Sequence, residues 1–512
     1  MLEQTDRQDG NRRNGLPQLL VLVPHEPTLD PRVHYTAESL AKGHVVTVVA
    51  TVQDSESRPQ DSYPAHTTYA TVRIPYEKRG AIQMCCAYMN IWARQLLDES
   101  LLAWMLRLVF GALAFILLGV SMSVIVPLGL VLELSLLIIL LPVGLLVGLL
   151  RILDSGPFFF LPLILRIIRR LTRGALSAIR LPRLDRGSLY RGLRIALGVL
   201  RFTFQANYLL WRYATGKGLV PDLVYCHDLY SLQAGVMLKR RYGARLIYDS
   251  HEFYPYQYQF RYYAPLIRLY ESQLVREVDV YITVSPQLAG ELGRTYRVGP
   301  VHFIPNVEPY PAPRPKPVVS QMSSLADGRL KLLYQGNFAE GRGLEEVVRE
   351  WSKVDGSKIA LFLRGPRNVW RDHLERLAEE RSLLGKSVYV LPPVLEKDLI
   401  GAAQEADVGL LPYKGDWPSY RFACPNKLSQ YIHAGLALLA NRLAYVEQLI
   451  NQGEIGLCYD VHEDGSFARA VGLMAENRSM VEGFKKNALA FSEKEYNWER
   501  YENLLLRLVD GA

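Results

Sequence analysis

The sequence predicts an α/β protein: two doubly wound domains facing across a cleft, the first interrupted by a helical membrane hairpin. Three observations carry this expectation. Short apolar runs alternate with amphipathic helical stretches on both sides of the chain's middle, which is the grammar of βαβ units. The run 108–150 holds one charged residue, Glu133, in 43 positions. Six prolines between Pro305 and Pro317 separate two αβ series, as a stiff extended linker does.

At 512 residues the chain is too long for one ordinary core. A content of 49% hydrophobic and 21% charged residues is globular. The five cysteines, Cys85, Cys86, Cys226, Cys424 and Cys458, form no CxxC pair or metal-ligand spacing, so reduced thiols are expected. The opening MLEQTDRQDGNRRNG is polar and lacks the layout of a signal peptide.

The first αβ series begins at LPQLLVLV, a buried strand. Asp30 then caps a helix with Pro31 at its first position. Val33, Ala37, Leu40 and Ala41 share one face of that helix, Gly43 ends it, and 45–50 is the next strand. The series resumes with the strand DLVYCHD, the helix LYSLQAGVMLKRRYG, and the strands ARLIYDSHE and VDVYITVS.

Between these halves lies the apolar run. One span needs ~20 apolar residues, so 108–150 suits two. Val126-Pro127-Leu128-Gly129 is the natural break. Strands on either side must join one sheet, so the insert must return to the side it left. A hairpin or a re-entrant loop does so, and a single span does not. Arg94 and Arg107 before the run, and Arg151 and Arg166 after it, place both ends in the cytoplasm. Glu133 is expected to face the other helix or an interface.

The net charge of +8 is concentrated in 151–201, which carries eleven arginines, no lysine and two acids. The stretch PFFFLPLILRIIRRLTRGALSAIRL mixes those arginines with large apolar residues, as an interfacial segment against anionic headgroups does. Membrane lipids are therefore the expected partner of the basic block, and nucleic acid is not.

After the linker the second series reads strand LKLLYQGN, helix from Leu344, strand IALFLRG, helix around Leu374 to Glu380, and strands VYVLPPV and VGLLPYK. A helix from Asn426, strand LALLAN and closing helices complete it. The expected domains are 17–100 with 202–304, the insert 101–201, the linker 305–317, a second domain 318–490 and a C-terminal helix 491–512.

Seven stretches in order, DPRVHYTAESLAKGHVVTVV, VYCHDLYSL, ARLIYDSHE, IPNV, LYQGNFAEGRGLEEVV, ADVGLLPYK and CPNKLSQYIHAGLALLANRL, resemble bacterial glycosyltransferases of family 4. The resemblance covers 18–95 and 205–490, and leaves the insert outside. It implies the GT-B fold of two Rossmann-like domains and sugar transfer from a nucleoside diphosphate donor, with retention. It also implies no resident cofactor and no bound metal. Two competing readings remain: a GT-B nucleotide-sugar epimerase, and a non-catalytic membrane protein with a degenerate transferase domain. With the insert, the transferase reading points to a lipid-linked or glycan acceptor, envelope or exopolysaccharide synthesis, and the inner membrane, both domains facing the cytoplasm.

Site residues follow from both sources. Ligands bind beyond the carboxyl ends of parallel strands, which singles out Asp249, His251 and Glu252 after one strand and His227 and Asp228 after its neighbour. The resemblance makes His251 the histidine that reaches the donor sugar, with Asp249 and Glu252 orienting it or lining the acceptor side. Cys226, His227 and Asp228 make a poor metal site, since adjacent strand residues point to opposite faces.

For the donor, Gly336 and Asn337 end a strand, and Gly341, Arg342 and Gly343 form a glycine-rich turn whose N–H groups suit phosphate. Lys427 is the second cation. Where the family places two acids eight residues apart, this chain has Phe422 and Gln430. An amide can still bond a ribose hydroxyl, but phenylalanine cannot replace the first acid. The aromatic tract EFYPYQYQFRYY meets an acceptor or the membrane interface, or packs locally.

Overall fold

The computed structural model describes residues 15–52, 68–75, 205–257, 260, 264–310 and 321–511. The chain divides into two units, Met1–Ala81 with Val199–Ala512, and Ile82–Gly198. The second unit, and with it the expected hairpin and basic segment, lies outside the described residues. Among the described residues no helix is long and apolar enough to cross a membrane.

The first unit contains two fully parallel sheets. The first has seven strands: β1 (Gln18–Val23), β2 (Val45–Val52), β3 (Ala70–Pro75), β4 (Leu223–His227), β5 (Arg245–Ser250), β6 (Val280–Thr283) and β7 (Val301–Phe303). Their order is β3-β2-β1-β4-β5-β6-β7. The winding reverses between β1 and β4, the place where an open parallel sheet leaves a crevice. β1 pairs directly with β4 from Leu19↔Leu223 to Leu22↔Cys226. The chain that leaves after β3 therefore returns to the sheet it left.

The second sheet holds β8 (Leu330–Gln335), β9 (Ile359–Arg364), β10 (Val388–Leu391), β11 (Val408–Leu411), β12 (Ala437–Asn441) and β13 (Gly456–Tyr459). Its order is β10-β9-β8-β11-β12-β13. The central strands are buried on both faces, which is why they read as continuous apolar runs rather than alternating ones.

Helix α1 (Pro31–Leu40) starts as expected: the Asp30 side chain accepts from the Arg32 N–H, and Pro31 opens the first turn. Its end differs. Ala41 is the C-cap, and Gly43 lies beyond it in a turn closed by N–H bonds from Gly43 and His44 to the Leu40 carbonyl. Strands β3, β7 and β13 were not legible. β3 is an edge strand without a buried face, and β7 spans only three residues.

The expected linker also differs at its start. Asn306 donates to the Cys424 carbonyl at 2.8 Å, and the Glu308 N–H donates to Ser429 Oγ at 2.8 Å. Arg32 binds the Ile304 and Pro305 carbonyls at 2.6 and 3.1 Å. Residues 305–308 thus form a seam between the two sheets' domains rather than a free spacer. Helix α2 (Trp498–Asp510) follows the second sheet but packs on the first domain, where Trp498 Nε1 donates to Ser39 Oγ at 2.8 Å.

Candidate active site

Parallel register gathers the first half of the site. His227 sits beside Asp249 in the β4–β5 pairing, so both strands end together. At that edge the His251 ring lies among three carboxylates. Its Nδ1 is 3.2 Å from Asp30 and 3.5 Å from Asp228, and its Nε2 is 3.6 Å from Asp249. Burial opposes its charge, but Asp228, Asp249 and Asp30 together raise its pKa well above 6.5. His227 behaves oppositely: burial lowers it to about 3. A neutral His227 therefore accepts from the protonated His251 Nε2, at 3.1 Å.

Asp249 is fully buried and already engaged. Both its oxygens take the Arg32 guanidinium at 2.8 Å, and the Tyr225 hydroxyl donates to it at 2.8 Å. Although ligand-type atoms of His227, Asp249 and His251 lie within 4.8 Å of one another, this pairing leaves the carboxylate no free oxygen for a metal ion. Asp228 holds a positive φ of 67°, a strained position for a residue with a side chain. Its carboxylate accepts from the Tyr254 hydroxyl and lies 3.4 Å from His25 Nε2.

A cavity of about 630 Å³ opens in front of this network. Of the expected first-domain residues, Asp228, His251 and Glu252 line it, with Glu252 exposed. His227 and Asp249 do not; they sit behind the wall and fix the His251 ring. His25 and Asp30 line it as well, and were missed. They follow β1 as the DSHE group follows β5, so the strand-end rule applied to PHEPTLDP could have found them. Arg32 could not be found that way, because its partner Asp249 is 217 positions distant.

The second domain supplies the opposite wall: Gly336, Asn337, Arg342, Lys427 and Gln430 all line the same cavity. Lys427 and Gln430 stand one turn apart on the helix Asn426–Ala434. Lys427 Nζ donates to the Tyr413 hydroxyl at 2.8 Å, and Arg342 donates to the same oxygen at 2.6 Å. Burial lowers the Lys427 pKa, and the neighbouring Arg342 lowers it further. Burial would raise the Tyr413 hydroxyl, but the two cations bring it below its usual value. Neither cation has a carboxylate partner among the described residues. A buried lysine and a half-buried arginine, neither held in a direct ion pair among the described residues, form a seat for a dianion.

Gly341 and Gly343 line a separate cavity of about 170 Å³. They shape the turn into the helix Leu344–Glu350, whose first turn carries Glu345 and Glu346. Those acids already complement the helix N-terminus, so the cation pair is the stronger phosphate seat. Gly343 has φ 76°, and a Cβ there would lie 1.8 Å from the Pro412 carbonyl oxygen. Phe422 does not line the large cavity; its ring faces Phe253 at 6.4 Å and its carbonyl accepts from Ser285 Oγ at 2.9 Å.

Comparison with known families decides the class. Residues 166–307 match the glycosyl transferase 4-like domain, and residues 329–477 match the glycosyl transferases group 1 family. The chain is a glycosyltransferase. Among solved structures, the transferase resembles sucrose-phosphate synthase from Thermosynechococcus elongatus, with TM-score 0.60 and 15% identity over 96% of this chain and 98% of that one. It also resembles α,α-trehalose 6-phosphate synthase from Burkholderia multivorans, with TM-score 0.56 and 13% identity over 97% and 99%. HepE of Anabaena, solved with UDP and glucose, gives TM-score 0.51 and 13% identity over 59% of this chain and 82% of that one. At these identities the likeness establishes the GT-B fold. No curated protein sequence matches the transferase.

Proposed function

We propose that this glycosyltransferase moves a sugar from a nucleoside diphosphate donor to a lipid-linked acceptor, with retention at the anomeric carbon. The carrying observation is the cation pair Arg342 and Lys427, free of direct ion pairs among the described residues and converging on Tyr413 across the cavity from Asp30, Asp228 and His251. Negative charge grows on the diphosphate as the sugar–phosphate bond breaks. Fixed cations in a partly dry site stabilise that charge without reorganising, so the reaction as read here needs no metal or other cofactor. Gln430, one helical turn beyond Lys427, is placed to bond the ribose.

On the facing wall, Asp30 and Asp228 accept hydrogen bonds from sugar or acceptor hydroxyls. His251 acts here differently from the role its resemblance implies: both ring nitrogens face the first-domain network, so it holds those carboxylates in place. We place the enzyme at the inner membrane with both domains on the cytoplasmic side, on the strength of the apolar run 108–150 and its flanking arginines. A nucleotide-sugar epimerase would have no use for such a run. Release of nucleoside diphosphate from a panel of donor sugars, with and without bacterial lipid extract, tests the proposal. Release that rises with lipid supports it; donor turnover indifferent to every lipid fraction would favour the epimerase.

A further inference from the structure

We propose that the base of the donor is guanine, read by Glu396. This rests on the nucleotide-sugar reading above. Lys427 and Gln430 lie in line on one helix face, so a donor with phosphates at Lys427 and ribose at Gln430 carries its base onward past Gln430. A further cavity of about 140 Å³ opens there, its lining including Tyr35, Glu308, Glu396, Lys397, Leu399 and Gln430. Glu396, Leu399 and Gln430 line both this cavity and the large one, so the two adjoin.

Two carboxylates face that space, and they differ. Glu308 accepts from the Tyr35 hydroxyl. The Glu396 side chain has no hydrogen bond or ion pair with any described residue, and its electrostatic neighbours are the acids Glu308 and Asp30. Burial, then Glu308 and Asp30, push it up to about 7. In its ionised form it is a pair of acceptors without donors, and a ligand that brings two N–H groups favours that form.

The base edges decide what fits. Guanine presents N1–H and an N2 amino N–H side by side, which match the two oxygens of a carboxylate in parallel. Uracil offers one N–H between two carbonyl oxygens that repel a carboxylate. Adenine and cytosine each set one amino N–H beside an acceptor nitrogen. Guanine alone among the common bases fills both acceptors.

Binding of GDP, IDP, UDP and ADP to the full chain in detergent tests this, for the native protein, Glu396→Gln and Lys427→Ala. IDP keeps N1–H and lacks the amino group. GDP should bind about tenfold or more tighter than the other three, and Glu396→Gln should erase most of the gap between GDP and IDP. Lys427→Ala should weaken every nucleotide. Equal or tighter binding of UDP or ADP, or a GDP–IDP gap that survives Glu396→Gln, overturns the guanine assignment while leaving the donor reading intact. Failure of all four to bind a folded protein overturns both.

Discussion

His251 is the residue on which the first-domain wall depends. It neutralises part of a cluster of three acids, Asp30, Asp228 and Asp249. Its raised pKa means that its contribution to stability is full below pH 6.5 and fades only as the pH climbs through that higher value. His251→Asn should cut turnover at least about a hundredfold. It should also lower the melting temperature, because removing one partner of a buried charge cluster costs about 3–5 kcal/mol. Adding Asp30→Asn should recover part of the stability and none of the activity, which a double-mutant cycle reads directly. Glu271 makes a separate prediction. It is fully buried and accepts from Tyr248, Tyr281 and Tyr296 at 2.9, 3.5 and 2.5 Å. Burial pushes it up to about 7 from 4.5. The native state therefore keeps its proton where the unfolded chain loses it, so this contribution falls by about 3 kcal/mol between pH 4.5 and 7. In Glu271→Gln that part of the fall should vanish when melting is compared with the native protein across those pH values.

At the scale of elements, the glycine-rich turn links sequence to site. Gly343→Ala would need a positive φ and would press a methyl group into the Pro412 carbonyl. It should destabilise the second domain by more than about 1 kcal/mol and weaken nucleotide binding through displacement of Arg342. Both effects are measurable by melting with and without nucleotide. Most strands were legible because buried parallel strands are apolar runs of fixed length, and Lys427, Gln430, Asp228 and His251 were legible because they end such runs or open the helix that follows. The division between cavity-lining and supporting residues was not legible. Asp249 and His251 are two positions apart, yet one is claimed by Arg32 from α1 and the other faces the cavity. Tyr413, which gathers both cations, lies inside the stretch ADVGLLPYK, but nothing in that stretch singles out its hydroxyl.

At the scale of the molecule, β3 and β4 belong to one sheet, so the chain between them leaves that sheet and returns to it. If 108–150 is a membrane hairpin, the full chain should stay with membranes in about 1 M salt, where the Debye length is about 3 Å and purely electrostatic attachment fails. Release into the supernatant would contradict the hairpin and leave the basic block as the anchor. The seam at 305–308 was read from its prolines as a spacer. Asn306 and Glu308 instead tie the domains together through Cys424 and Ser429, and no local pattern announces such long-range bonds.

The most direct test of the central claim is nucleoside diphosphate release by the purified full chain from a panel of nucleotide sugars, with lipid extract present, beside the Lys427→Ala variant. The expected result is release from one donor, increased by lipid and reduced at least about tenfold in the variant. Release that ignores Lys427, or none from any donor by a folded protein that binds nucleotide, would contradict it.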